Sequence, residues 1–105
     1  MTNLDVIKNA MKPLTDEVYH FTAPPTTKLP YIIWSEDGAE HFRANNKNLE
    51  TAYTGTIDLY TKDQDDPLME AIPAALNETN AAWYLNSVQY EEDTQIIHYE
   101  WVWEV

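Results

Sequence analysis

Ile97-His98-Tyr99-Glu100-Trp101-Val102-Trp103-Glu104-Val105 reads as a β-strand with one face buried and the other mostly wet. Ile97, Tyr99, Trp101, Trp103 and Val105 share one phase of the two-residue period; His98, Glu100 and Glu104 share the other, with Val102 among them. Upstream, Trp83 to Glu91 is rich in β-forming residues, and the polar run Glu91-Glu92-Asp93-Thr94 separates the two stretches. Together they predict a β-hairpin that holds three of the chain's four tryptophans, so its aromatic face needs a cover.

The cover is supplied by two segments with helical spacing. Leu4, Ile7, Met11 and Leu14 form the first stripe, with Thr2 and Asp5 spaced as a capping box and Pro13 near the stop. Leu68, Ile72, Ala75, Leu76 and Thr79 form the second, opened by Asp65-Asp66-Pro67, where aspartate caps free amides and proline suits the first turn. Pro73 lies inside this stripe and predicts a kink or a late start. Glu17 to Phe21 reads as a short strand and Ala23 to Pro30 as a rigid proline-rich connection. Tyr31 to Trp34 reads as a second strand and Thr51 to Thr61 as a third, with Gly55 marking a bulge or a close contact. From Ser35 to Asn48 no period survives, which predicts a long polar loop.

The order is therefore α-β-β-β-α-β-β. It predicts a single α+β domain over residues 1–105, a largely antiparallel sheet of about five strands, mixed if one pair runs parallel, with both helices on one face.

Composition narrows the function. The chain has 105 residues and no cysteine, so it forms neither disulfides nor thiolate metal sites. Eighteen acids against six bases give a net charge of −12, which opposes binding to phosphate backbones. Met1 to Lys12 is amphipathic and carries both charge signs, unlike a signal peptide, and no stretch reaches membrane-spanning length; a soluble intracellular protein is expected. Two glycines are too few for the glycine-rich phosphate loops.

His20, His41 and His98 lack metal-ligand spacing, and Asp63, Asp65 and Asp66 lack the glycine and terminal glutamate of a calcium loop. Glu91, Glu92, Asp93, Glu100 and Glu104 occupy turn or outward positions, where solvated charge explains them better than acid-base chemistry. Asn77-Glu78-Thr79 matches a glycosylation acceptor but falls on a predicted helix. No catalytic, cofactor-binding or metal-binding residue is expected.

Several stretches carry a family resemblance: Lys28-Leu29-Pro30-Tyr31-Ile32-Ile33-Trp34, Asn46-Lys47, Thr56-Ile57-Asp58-Leu59-Tyr60-Thr61-Lys62, Asn86-Ser87-Val88-Gln89-Tyr90-Glu91 and His98-Tyr99-Glu100-Trp101. The combination resembles small tail proteins encoded in prophages of Gram-positive bacteria, similar to the tail terminator or tail completion proteins of long-tailed phages. The resemblance spans nearly the whole chain after Val18 and rests on a strand pattern, with no catalytic signature.

It implies a non-enzymatic subunit that assembles in the host cytoplasm into a homo-oligomeric ring, a hexamer, within the virion. Such a ring caps the head-proximal end of the tail tube and joins the tail tube protein to the head connector protein. No cofactor, membrane or sequence-specific nucleic acid is implied. In that setting Glu40, His41, Phe42 and Arg43 are candidate interface residues, since an aromatic and an arginine in a polar loop are common anchors. Acidic walls would likewise keep DNA from sticking in a channel. From the charge alone, the alternative is a small acidic nucleic-acid mimic that inhibits a host DNA-binding enzyme.

Overall fold

A computed structural model describes residues 3–43 and 49–105, apart from the side chains of 40–51. Its elements are α1 (Leu4–Met11), β1 (Val18–His20), β2 (Tyr31–Arg43), β3 (Leu49–Thr61), α2 (Leu68–Asn77), β4 (Ala82–Glu91) and β5 (Ile96–Glu104). The strands form one sheet in the order β1-β2-β3-β5-β4. Neighbours run antiparallel except β1, which lies parallel to β2. The α+β class, element order and mixed sheet agree with the sequence reading.

The alternation in β5 is what builds the core. Ile97, Tyr99, Trp101 and Trp103 are all buried, and the register sets them beside Leu59 and Ile57 of β3. Ile32 and Trp34 of β2 continue this layer. Ile7 and Met11 from α1 and Ile72 and Leu76 from α2 close it from one side, with Leu4, Leu14, Leu68 and Ala75 packed around them. Burying side chains of this size stabilises by roughly 1.5–3 kcal/mol each, so this layer supplies most of the favourable term.

Gly55 makes a close contact. A Cβ there would overlap the Ser35 carbonyl oxygen and Cζ2 of Trp103, and would stand 2.8 Å from Cε2 of the same indole. Backbone and tryptophan therefore meet where only a hydrogen fits. The irregularity in this strand pair falls instead on β2, where the register shifts between Glu36 and Gly38.

Two details depart from the sequence reading. The segment from Ser35 onward continues β2 as far as Arg43, paired to Leu49 of β3; residues 44–48 of the expected loop lie outside the described residues. Beyond Thr54 and Tyr53, where β5 and Val105 end their pairing, four pairs from Glu40↔Ala52 to Arg43↔Leu49 have no third strand among the described residues. The residues from Ser35 to Arg43 show no hydrophobic alternation, which is why polar sequence concealed a strand. The molecule is elongated, 53 Å against 24 Å across.

At α1 the N-cap is Asn3, and Thr2 of the expected capping box lies outside the described residues. Finally, α2 starts where the aspartates predict, with Pro73 inside it. Asp66 both accepts from the Leu68 amide through Oδ1 (2.9 Å) and takes the Thr61 hydroxyl on Oδ2 (2.7 Å), joining the start of α2 to the end of β3.

Candidate functional site

The sheet face turned away from the helices carries a polar and aromatic network. One row of directly opposed residues runs Tyr31, Tyr60, His98, Gln89 across β2, β3, β5 and β4. The next runs Tyr19, Ile33, Asp58, Glu100, Ser87. Residues opposite one another in register project to the same face, so the two rows lie side by side.

Within them His98 Nε2 lies 2.6 Å from Asp58 Oδ1, and the other carboxylate oxygen accepts from the Thr56 hydroxyl at 3.2 Å. Tyr60 stacks on His98 at 4.3 Å between ring centroids, and Tyr31 stacks on Tyr60 at 4.9 Å. Asn86, at the register shift of β4, donates to Glu100 Oε1 at 2.7 Å.

Charge and burial perturb one member strongly. Burial first, then the negative charge of Asp58, the Tyr31 phenol and Glu100, pushes the Tyr60 phenol up to about 12. Burial alone raises that of Tyr31. Both phenols therefore remain hydrogen-bond donors throughout the physiological range. Beside them lies a recess of about 350 Å³ lined by Tyr31, Tyr60, His98 and Glu91 among others.

Asp58, His98 and Glu100 each offer one ligand atom, all within 4.8 Å of one another. Around a divalent ion with bonds near 2.1 Å, neighbouring ligand atoms stand about 3.0–3.4 Å apart. The Asp58–His98 contact is shorter than that, and Thr56 and Asn86 already donate to the two carboxylates, so the arrangement is held by hydrogen bonds. To bind a cation it would have to open.

Sequence spacing did not reveal this convergence, because Asp58 and His98 are forty positions apart and meet only through the β3–β5 register. The three histidines themselves do not gather: His20 sits on edge strand β1, stacked on Trp34 and 3.1 Å from Glu36, while His98 is on β5. Glu40, His41, Phe42 and Arg43 lie on the outer end of β2, opposite Ala52, Thr51, Glu50 and Leu49; their side chains fall outside the described residues. Of the hairpin acids, Glu91, Glu92, Asp93 and Glu104 are exposed, as their turn and outward positions predict, whereas Glu100 is half-buried and held by Asn86. Asn77 of the glycosylation match accepts from Trp83 Nε1 at 2.9 Å and ties β4 to α2.

No family model matches the sequence, and no curated protein matches it. Among solved structures, a chain of "Virion of native gene transfer agent (GTA) particle" matches with a TM-score of 0.53 at 11% identity, over 90% of this chain and 81% of that one. The likeness is one of fold. It takes in nearly the whole arrangement of helices and sheet described above. Among the described residues, no helix is long and apolar enough to cross a membrane.

Proposed function

We propose that this chain is a non-enzymatic structural protein of a phage-like particle, acting as a ring, a hexamer, that caps the head-proximal end of the tail tube and joins it to the head connector. The fold likeness to a chain of a gene transfer agent virion over 90% of the sequence carries this reading. Two features of the chain support it. The β2–β3 ribbon extends past the rest of the sheet, and isolated two-stranded ribbons are marginal in water, so a neighbouring subunit or tube is a natural support. Edge strand β4 also presents unpaired backbone together with half-exposed apolar side chains. In this reading Glu40, His41, Phe42 and Arg43 on the ribbon contact a subunit or the connector, and acids facing the channel keep DNA from adhering.

The test is light scattering and electron microscopy of the purified protein, alone and with tail tubes of the same particle. Closed rings, free or seated on one end of each tube, are expected. A protein that stays monomeric in both conditions while tubes lengthen past their normal limit refutes the reading. If that monomer instead binds a basic partner with steep salt dependence, an acidic mimic takes its place.

A further inference from the structure

The two edges of the sheet complement one another. At one edge, β4 carries Leu85, Val88 and Tyr90, exposed to 48%, 53% and 59%. Their register partners Trp101, Tyr99 and Ile97 belong to the buried layer, so these three side chains start on the helix side of the sheet, yet nothing among the described residues covers them as it covers their partners. Residues 82–90 include no charged side chain, in a chain with eighteen acids. Directly after them come Glu91, Glu92 and Asp93, all exposed. A long uncharged edge strand invites pairing unless something occupies it.

At the opposite edge, a recess of about 440 Å³ opens between α1 and strands β1 and β2. Leu4, Val18 and Trp34 give it apolar walls, and Lys8, Lys12 and His20 also line it, together with Asp5. Lys8 on α1 and Lys12 at its C-cap are one helical turn apart, both exposed, and make up a third of the chain's six cationic residues. Following the register across the sheet, Val18 is level with Val88 and His20 with Leu85. Because β2, β3, β5 and β4 alternate in direction and β1 follows β2, β4 runs opposite to β1.

We propose that the β4 edge of each copy docks against the α1–β1 edge of the next copy. Leu85, Val88 and Tyr90 fill the recess of Leu4, Val18 and Trp34, and Glu91, Glu92 and Asp93 face Lys8 and Lys12. The inference rests on the ring reading and names the contact that closes the ring. A second copy fits because the two surfaces match in level, in strand sense and in charge. A contact between two different patches of one chain propagates head to tail and closes when its rotation allows. It also sets the chain's few positive charges against a cluster of negative ones, where random approach of two copies at −12 is repulsive.

Charge reversal tests the pairing, with far-ultraviolet circular dichroism confirming folding of each exposed-site variant. Assembly is read by mass photometry and by electron microscopy with tail tubes. Lys8→Glu with Lys12→Glu, and separately Glu91→Lys with Glu92→Lys, are each expected to raise the concentration for half-assembly at least about tenfold. Combining all four substitutions in one chain restores assembly, as does mixing the two double variants, which then alternate around the ring. Val88→Glu abolishes assembly without a charge partner. If wild type assembles and the double variants assemble equally well, or if the fourfold variant fails to recover, the contact is wrong while the ring reading stands. If wild type forms no ring alone or on tubes, the ring reading fails and takes this contact with it.

Discussion

Replacing Gly55 by alanine tests how tightly the sheet and its aromatic layer are joined. The added methyl overlaps the Ser35 carbonyl oxygen on β2 and Cζ2 of Trp103 on β5, and stands 2.8 Å from Cε2, where carbon atoms prefer about 3.5–4.0 Å. Ser35 is bound into the ladder beside Thr56, so its carbonyl retreats only by parting β2 from β3. Trp103 is 1% exposed and retreats only by displacing the layer around it. Overpacking of this kind costs about 1–3 kcal/mol when side chains alone yield, and more when backbone must move; a loss of about 3–5 kcal/mol is expected.

Unfolding entropy near 2.1 cal/mol/K per residue gives about 220 cal/mol/K for 105 residues, so Tm falls about 4.5 °C per kcal/mol, or about 14–22 °C in all. Differential scanning calorimetry on the monomer measures it. Gly38→Ala is the control, because its Cβ would meet only the Thr54 hydroxyl at 3.0 Å, at an exposed position; a fall below about 4 °C is expected. Adding Trp103→Leu to Gly55→Ala should recover little, since the Ser35 carbonyl still obstructs the methyl. A Gly55→Ala protein melting within about 3 °C of wild type would refute the close approach.

Three further outcomes follow from the same geometry. Thr61→Val removes the buried hydroxyl that donates to Asp66 Oδ2 at 2.7 Å; a loss of about 1.5–3 kcal/mol in urea unfolding is expected, and an unchanged midpoint would contradict the bond. In alkaline titration followed by phenolate absorbance, the Tyr60 phenol ionises late, near 12, and Tyr60→Phe deletes that step. Its folded value lies above the ordinary value of 10.0, so the neutral phenol is favoured in the fold; its contribution is complete below about pH 10 and disappears as pH rises through 12, and stability that rises over that window would overturn the assignment. Asn77→Ala frees Trp83 Nε1 at an exposed site and should cost no more than about 1 kcal/mol by urea unfolding, with a larger loss pointing to a deeper role in holding β4.

The last strand was legible because one of its faces packs against helices, and a two-residue period records that. Ile97, Tyr99, Trp101 and Trp103 fall where the alternation puts them. The outer half of β2 was not legible, since its polar sequence carries no two-residue period and only the pairing with β3 reveals the strand. The Asp58–His98–Glu100 network was half legible. Alternation assigns His98 and Glu100 to the outer face of β5 and Asp58 to the second phase of β3, but only the register tells which of them meet. The recess of Lys8, Lys12 and Val18 was hidden for a related reason: a helix stripe reports the residues that face the core, and those lining its flank look like ordinary surface.

The treatment of the two sheet edges is the strongest link between the fold and the proposed assembly. Edge strands are usually kept from pairing by brevity, by charge or by a bulge. At β1 the strand is only three residues long, with two lysines beside it, so chance pairing has little backbone to use. Ten-residue β4 has its register shift at Asn86, but that side chain is drawn to Glu100 on the face away from the helices. No charge guards Leu85 and Val88 on the other face, although the acids begin immediately after Tyr90. Chance sequence in so acidic a chain would be expected to place an acid somewhere along those nine positions. Keeping them clear leaves apolar surface that costs solubility in a lone copy and gains stability only when covered, which is the condition the proposed contact with a second copy would meet.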